Sequence, residues 1–150
     1  MTDIDKIDRK ILRELTRDGR LPNIQLADRV GLSPSASLRR VQELERRGVI
    51  RGYKAVLDGD AMGRGFVAYV TVGLSVHTKD AQLHFERAMT RFDEVRECHN
   101  ITGEVEYLLR IEAEDLAAYK RFHTDKLGTV EGVNRITTHV VMGSPKDDRA

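Results

Sequence analysis

The hydrophobic period of this chain changes after Gly48, and that change limits the folds open to it. Up to residue 47 apolar side chains recur every three or four positions. From Phe66 onward they alternate, through Ala68, Val70, Val72, Leu74 and Val76. A period near 3.6 marks amphipathic helices, and a period of two marks strands with one buried face. The chain is therefore expected to be an α+β protein, with a helical N-terminal unit ahead of a unit built on strands.

Three helices are predicted in the first unit. The first covers 4–18, with Ile4, Ile7, Ile11, Leu12 and Leu15 on one side. Asp5 and Asp8 fall in its first turn, where the helix dipole favours negative charge, and Gly19 follows as a left-handed cap. The second is short: Asn23 caps it, Ile24, Ala27 and Val30 form one face, and Gly31 ends it. The third starts with Ser33 as cap and Pro34 in the first helical position, and closes at Gly48 after Arg47.

Two helices joined by the tight turn Gly31-Leu32-Ser33 make a helix-turn-helix, a unit that places its second helix in the DNA major groove. On that helix Leu38, Val41 and Leu44 are expected to face inward with Ser37 alongside. Ser35, Ala36, Arg39, Glu43 and Arg46 face outward, with Arg40 and Gln42 on the flanks. Small residues at the helix start let the backbone approach DNA, and arginine reaches guanine edges or phosphates. Ser35, Ala36 and Arg39 are thus assigned near bases and Arg40, Arg46, Arg47, Arg51 and Lys54 to phosphates, with the cap residue Ser33 counted among the DNA-binding residues. Charge agrees: residues 1–58 hold 13 Lys+Arg against 9 Asp+Glu, a net +4, whereas 59–150 hold 12 against 15, a net −3. A basic N-terminal third suits an anionic partner such as double-stranded DNA.

Beyond a short extended segment at 49–57 and a glycine-rich stretch (Gly59, Gly63, Gly65), the pattern reads strand 66–76, helix 81–92, strands 95–101 and 106–113, helix 115–127 and strand 133–142. Phe85, Ala88, Met89 and Phe92 are placed inward on one helix, and Leu116, Tyr119 and Phe122 on the other. The order βαββαβ is the ferredoxin-like arrangement. Two helices cover one sheet face only. The other, expected to carry Val67, Tyr69 and Leu109, needs burial, and packing against a second copy as a dimeric α/β sandwich supplies it. The domains are set at 1–52 for the (winged) helix-turn-helix, 53–65 for a linker strand and hinge, 66–143 for sensing and oligomerisation, and 144–150 for a polar tail after Pro145.

Other classes leave little trace. The longest apolar stretch, 66–76, is too short to span a bilayer, and the charged start at Asp3 and Lys6 is unlike a signal peptide. One cysteine, Cys98, excludes an intrachain disulfide and fits a cytoplasmic protein. Cys98-His99 lacks partners at metal-ligand spacing, so no metal or other cofactor is expected. Five histidines (His77, His84, His99, His123, His139) form no recognisable catalytic constellation, so an enzyme is not expected.

Several stretches together resemble the Lrp/AsnC family of prokaryotic regulators: DKIDRKIL at 5–12, DGR at 18–20, LADRVGLSP at 26–34, RVQELE at 40–45 and GVIRGY at 48–53. The likeness continues through ECH at 97–99, GEVEYLL at 103–109, Ala118-Tyr119, Gly132-Val133 and VVM at 140–142. The resemblance implies a helix-turn-helix, a flexible linker and a domain that dimerises through its sheet. It further implies assembly to tetramers or octamers, and an amino acid or related small effector bound between dimers to control genes of amino-acid metabolism. The family's Gly-Asp-x-Asp-Tyr element falls on Gly103, Glu104, Val105, Glu106 and Tyr107, with both aspartates lengthened. Its Thr-x-Thr element falls on Ile136, Thr137 and Thr138, beside His139, so Ile136 stands where the family has a hydroxyl. A carboxylate by a turn suits an α-amino group, and threonine hydroxyls suit an α-carboxylate. Two solvated turn carboxylates are the alternative reading of Glu104 and Glu106.

Overall fold

The computed structural model describes residues 4–147 and Arg149. Asp3 of the charged start, and Asp148 and Ala150 of the polar tail, lie outside the described residues. The chain forms two compact units, Met1–Ala55 and Val56–Ala150.

In the first unit α1 (Lys6–Arg17), α2 (Asn23–Val30) and α3 (Pro34–Arg46) pack around Ile11, Leu21, Leu26, Val30 and Leu44. Asp5 lies just outside α1 as its cap, Oδ1 accepting the Ile7 and Asp8 amides at 2.8 Å each. Two cap assignments are corrected. Gly19 is not left-handed; α1 ends at Asp18 in extended conformation, whose Oδ1 takes the Arg20 amide at 2.9 Å. Asn23 is the first residue of α2 rather than its cap: Pro22 precedes the helix, and the Asn23 side-chain amide donates across to the Pro34 carbonyl at 2.8 Å. That bond ties the start of α2 to the start of α3. Gly31 has φ 75° and Gly48 φ 70°, the left-handed region that glycine enters without steric cost. Leu32 is partly buried against the core. Among the described residues 49–57 holds no strand; Val49 and Ile50 pack on the helical core, and 51–58 is irregular.

In the second unit β1 (Phe66–Leu74), α4 (Lys79–Met89), β2 (Val95–Asn100), β3 (Tyr107–Ala113), α5 (Leu116–Asp125) and β4 (Val133–Val140) follow in the expected βαββαβ order. The sheet is antiparallel throughout, ordered β2-β3-β1-β4. One face buries Ala68, Val70, Val72, Tyr107, Leu109 and Ile111 against Phe85, Met89, Tyr119 and Phe122 of the helices. Three side chains depart from expectation. Leu109 is fully buried beneath the helices, because it is registered with Val70 and in-register partners share a face. Leu116 is 64% exposed at the first position of α5, where Asp115 is the cap, and Val76 lies beyond the strand end in solvent.

The uncovered face is more polar than the alternation suggested. Register places Val67, Tyr69 and Thr71 there beside Leu108, Arg110, Glu112, Glu97, His99, Thr137 and His139. The tail returns over it: Arg149 donates to Glu97 Oε1 at 2.6 Å and to the Tyr69 hydroxyl at 3.1 Å.

Candidate functional site

The helix-turn-helix surface is built from α3. Ser33 Oγ accepts the Ala36 amide at 3.2 Å, so its hydroxyl serves as the cap expected of it while sitting 3.3 Å from Ser35 Oγ. Side chains advance about 100° per helical residue. Ser37, Val41 and Leu44 therefore make the inward stripe, with Ser37 and Leu44 buried. Leu38, expected inward, is 46% exposed; the smaller Ser37 takes the inward place, letting α3 pack closely. The outward face carries Ser35, Arg39, Gln42 and Arg46, with Ser35, Arg39 and Arg46 exposed, while Ala36 is half-buried.

The arginines differ in their engagement. Among the described residues Arg39 makes no ion pair; its neighbours on the outward face are Ser35, Gln42 and Glu43, and the Glu43 carboxylate is taken by Arg46. Arg46 donates through Nε and Nη2 to Glu43 at 2.8 and 2.6 Å, a surface pair that an exposed guanidinium can exchange for a phosphate. Arg47 caps the end of α3, and Arg51 and Lys54 are exposed on the segment after it. Arg40 is placed otherwise than expected: it turns toward α1, Nη1 lying 2.6 Å from Asp5 Oδ2 and 2.9 Å from Asp8 Oδ1.

The β2–β3 turn holds the second candidate site. Gly103 has φ 125°, a conformation L side chains rarely adopt, and opens the turn. The two glutamates of the turn have different fates. Glu104 has a side chain 93% exposed, with Arg135 at 3.9 Å. Glu106 has a shielded carboxylate: Oε2 accepts the Leu74 amide at 2.7 Å, and Oε1 lies 2.6 Å from His77 Nδ1. Gly73 leaves room beside it, since a Cβ there would lie 3.4 Å from Arg135 Cβ, 3.5 Å from Val105 Cγ1 and 3.7 Å from Glu106 Oε2. Glu106 is thus a held anion at the end of β1, and Glu104 is the solvated one.

The remaining effector candidates are divided by the sheet. Tyr107 is fully buried under α4, its hydroxyl donating to Glu86 Oε1 at 2.8 Å. Ile136 packs on the core, and the Thr138 hydroxyl is hydrogen-bonded to that of Tyr119 on the helix side. Thr137 and His139 lie on the opposite face. Alternation along β4 therefore keeps Thr137 and Thr138 from converging on one ligand within one chain. Sequence reading missed His77, Gly73 and the Leu74 amide, which only the fold brings to Glu106, and Arg135, which is registered with Gly73 and lies 3.9 Å from Glu104. Cys98 is half-buried, and burial, with Glu86 nearby, pushes its thiol up to about 11, which disfavours the thiolate needed for metal or redox chemistry. Among the described residues no helix is long and apolar enough to cross a membrane.

Comparison with known proteins decides what these surfaces belong to. The family profile described as winged helix-turn-helix DNA-binding matches residues 4–51, and that described as Lrp/AsnC ligand binding domain matches 67–150. The chain belongs to the Lrp/AsnC family. The leucine-responsive regulatory proteins of Salmonella typhimurium and Escherichia coli K12 are each 40% identical to it over 144 residues, 96% of this chain and 88% of theirs. A transcriptional regulator from Neisseria meningitidis, solved in complex with L-Met, superposes with TM-score 0.92 at 36% identity, covering 97% of this chain and 94% of that one. The feast or famine regulatory protein of M. tuberculosis, solved with L-methionine, gives TM-score 0.84 at 32% identity, covering 99% and 98%. As a Lrp/AsnC protein the chain is a DNA-binding transcription regulator, with a helix-turn-helix domain ahead of a ferredoxin-like domain.

Proposed function

We propose that this Lrp/AsnC regulator reads its operator with Ser35, Ala36 and Arg39 of α3, holds the phosphates with Arg46, Arg47, Arg51 and Lys54, and changes its occupancy when an amino acid binds beside Glu106. The observation that carries the reading is the outward face of α3, where Arg39 stands exposed beside Ser35 and Gln42 and, among the described residues, makes no ion pair, because the nearby Glu43 carboxylate is taken by Arg46. A helix whose first turn is small and whose second turn carries an outward arginine fits the major groove. The effector half rests on Glu106, a shielded carboxylate of the kind that binds an α-ammonium group, and on the two relatives solved with L-methionine. Thr137 and His139, on the opposite face from Thr138, are available to a ligand only from the uncovered side of the sheet.

The protein acts in the cytoplasm as a homo-oligomer and not as an enzyme. Its uncovered sheet face closes against a second copy, and dimers assemble further to tetramers or octamers. Two-fold symmetry then calls for an inverted repeat with half-sites about one helical turn, or a multiple of it, apart. The test is selection of binding sites from random duplex DNA, followed by titration of the selected duplex with wild type and Arg39→Ala. Loss of about tenfold or more in the variant, with relaxed preference at one base pair, is expected; unchanged affinity and preference refute α3 as the reader. A thermal-shift screen of the twenty amino acids tests the effector half, since a ligand of the native state raises the transition temperature.

A further inference from the structure

We propose that Arg40 is a positioning residue of the DNA-reading helix: held by Asp5 and Asp8 at the start of α1, it fixes the rotation of α3 and so the direction in which Ser35, Arg39 and Gln42 point, and it contacts no phosphate itself.

Three features carry this. First, the geometry is shared between two structural tasks. Asp5 uses Oδ1 to cap α1 and Oδ2 to take Arg40 Nη1 at 2.6 Å, so the end of one helix and the middle of another are joined through a single carboxylate. Second, Asp8 is only 7% exposed and, with Ser37, is one of the two buried polar residues among those described. A buried carboxylate is costly without a cation, and Arg40 Nη1, at 2.9 Å, is the cation beside it. Swinging Arg40 out to a phosphate would leave Asp8 uncompensated. Third, Arg40 is adjacent in sequence to Arg39, about 100° away on the helix. Rotation of α3 that loosens one therefore re-aims the other.

Titration behaviour agrees with the geometry. The Asp8 amide and the Arg40 guanidinium hold Asp5 below its ordinary value, and the two aspartates raise Arg40. Two carboxylates facing one guanidinium also leave a net negative cluster, which attracts no phosphate. The wider packing offers a second tie of the same kind, Arg29 of α2 on Glu14 of α1 at 3.0 Å, but that pair holds the supporting helix and not the reading one.

The proposal depends on α3 being the reading helix, and the test keeps the two apart. Full-length wild type, Arg40→Gln, Asp8→Asn, Asp5→Asn, the double variant Asp8→Asn/Arg40→Gln, Arg47→Ala and Arg39→Ala are titrated with a selected duplex and a scrambled duplex between about 50 and 200 mM salt, well below each variant's unfolding temperature. Arg40→Gln is expected to weaken selected-duplex binding at least tenfold while scrambled-duplex binding and the salt slope stay at wild-type values. Asp8→Asn decides by its sign. Removing a negative charge near DNA should tighten binding if only electrostatics matters, whereas positioning predicts weaker selected-duplex binding. The double variant should be no worse than Arg40→Gln alone. Asp5→Asn, at an exposed site, should show a smaller loss of the same kind and keeps the test open if Asp8→Asn does not fold. The proposal is overturned if Arg40→Gln weakens both duplexes alike and lowers the slope as Arg47→Ala does, or if both aspartate variants bind the selected duplex as well as or better than wild type. It also falls if Arg39→Ala retains full affinity and base preference, and that outcome identifies the reading helix, not the clamp, as the error.

Discussion

Replacing Arg47 with alanine isolates the sequence-independent part of DNA binding, and its size follows from where the cations stand. Arg46 and Arg47 end α3, and Arg51 and Lys54 are exposed on the segment behind it; these are the four cations per copy that the proposed reading directs to phosphates, with Arg40 assigned to α1. Each phosphate contact contributes about 0.9 to the slope of log affinity against log salt, so a dimer using all four on each copy has a slope of about −7. Between about 50 and 200 mM salt the affinity should then fall about 10⁴-fold. Removing Arg47 from both copies lowers the slope by about 2 and shrinks the fall about tenfold. Arg46 must first leave Glu43, at a cost of about 0.2–1 kcal/mol for an exposed pair of this kind, which reduces affinity without altering the slope. Fluorescence anisotropy over a salt series, on selected and scrambled duplexes, measures both quantities. A wild-type slope in the variant, or a loss confined to the selected duplex, would show that Arg47 touches no phosphate.

Three further outcomes are expected. Gly31 has φ 75° and nothing within 4 Å of where a Cβ would sit, so Gly31→Ala should cost about 1–2 kcal/mol in urea unfolding through backbone strain alone, and Gly31→Asn less; equal costs would count against that cause. Glu106→Gln keeps the shape and the Leu74 acceptor but loses the charge, and should weaken amino-acid binding about tenfold or more by calorimetry while leaving ligand-free DNA binding intact; an unchanged dissociation constant would remove Glu106 from the effector site. Alkali should destabilise the second unit. Burial raises Cys98 to about 11 and, with Glu86, raises Tyr107 as well, so both are held protonated by folding. Folded values above unfolded ones mean that this stability is complete below about pH 9 and is lost as pH rises toward the folded values. The urea midpoint should fall across that window, and less so in Tyr107→Phe; a flat profile in wild type contradicts the assignment.

What was legible from residues alone was local. Apolar period, the Ser33-Pro34 start and the glycines at 31 and 48 depend on backbone conformation and near neighbours, and they placed the helix-turn-helix and the βαββαβ order. The cap assignment at Asn23 failed because Pro22 precedes the helix and the Asn23 side-chain amide donates to a carbonyl eleven positions away. The assignment of Leu109 to the open face failed because alternation names two faces without saying which one the helices cover.

The sequence by itself determined the two domain types and the outward arginine on α3, because helical and strand periods are set within a few residues. Only the tertiary structure decided the roles of charged side chains. Arg40 and Arg39 are neighbours of the same type, yet one faces Asp8 across the helical core and the other faces solvent. Glu104 and Glu106 are two positions apart, yet only Glu106 meets the Leu74 amide and His77. An ion's partner is fixed by through-space distance and burial, and neither is written in the spacing of the chain.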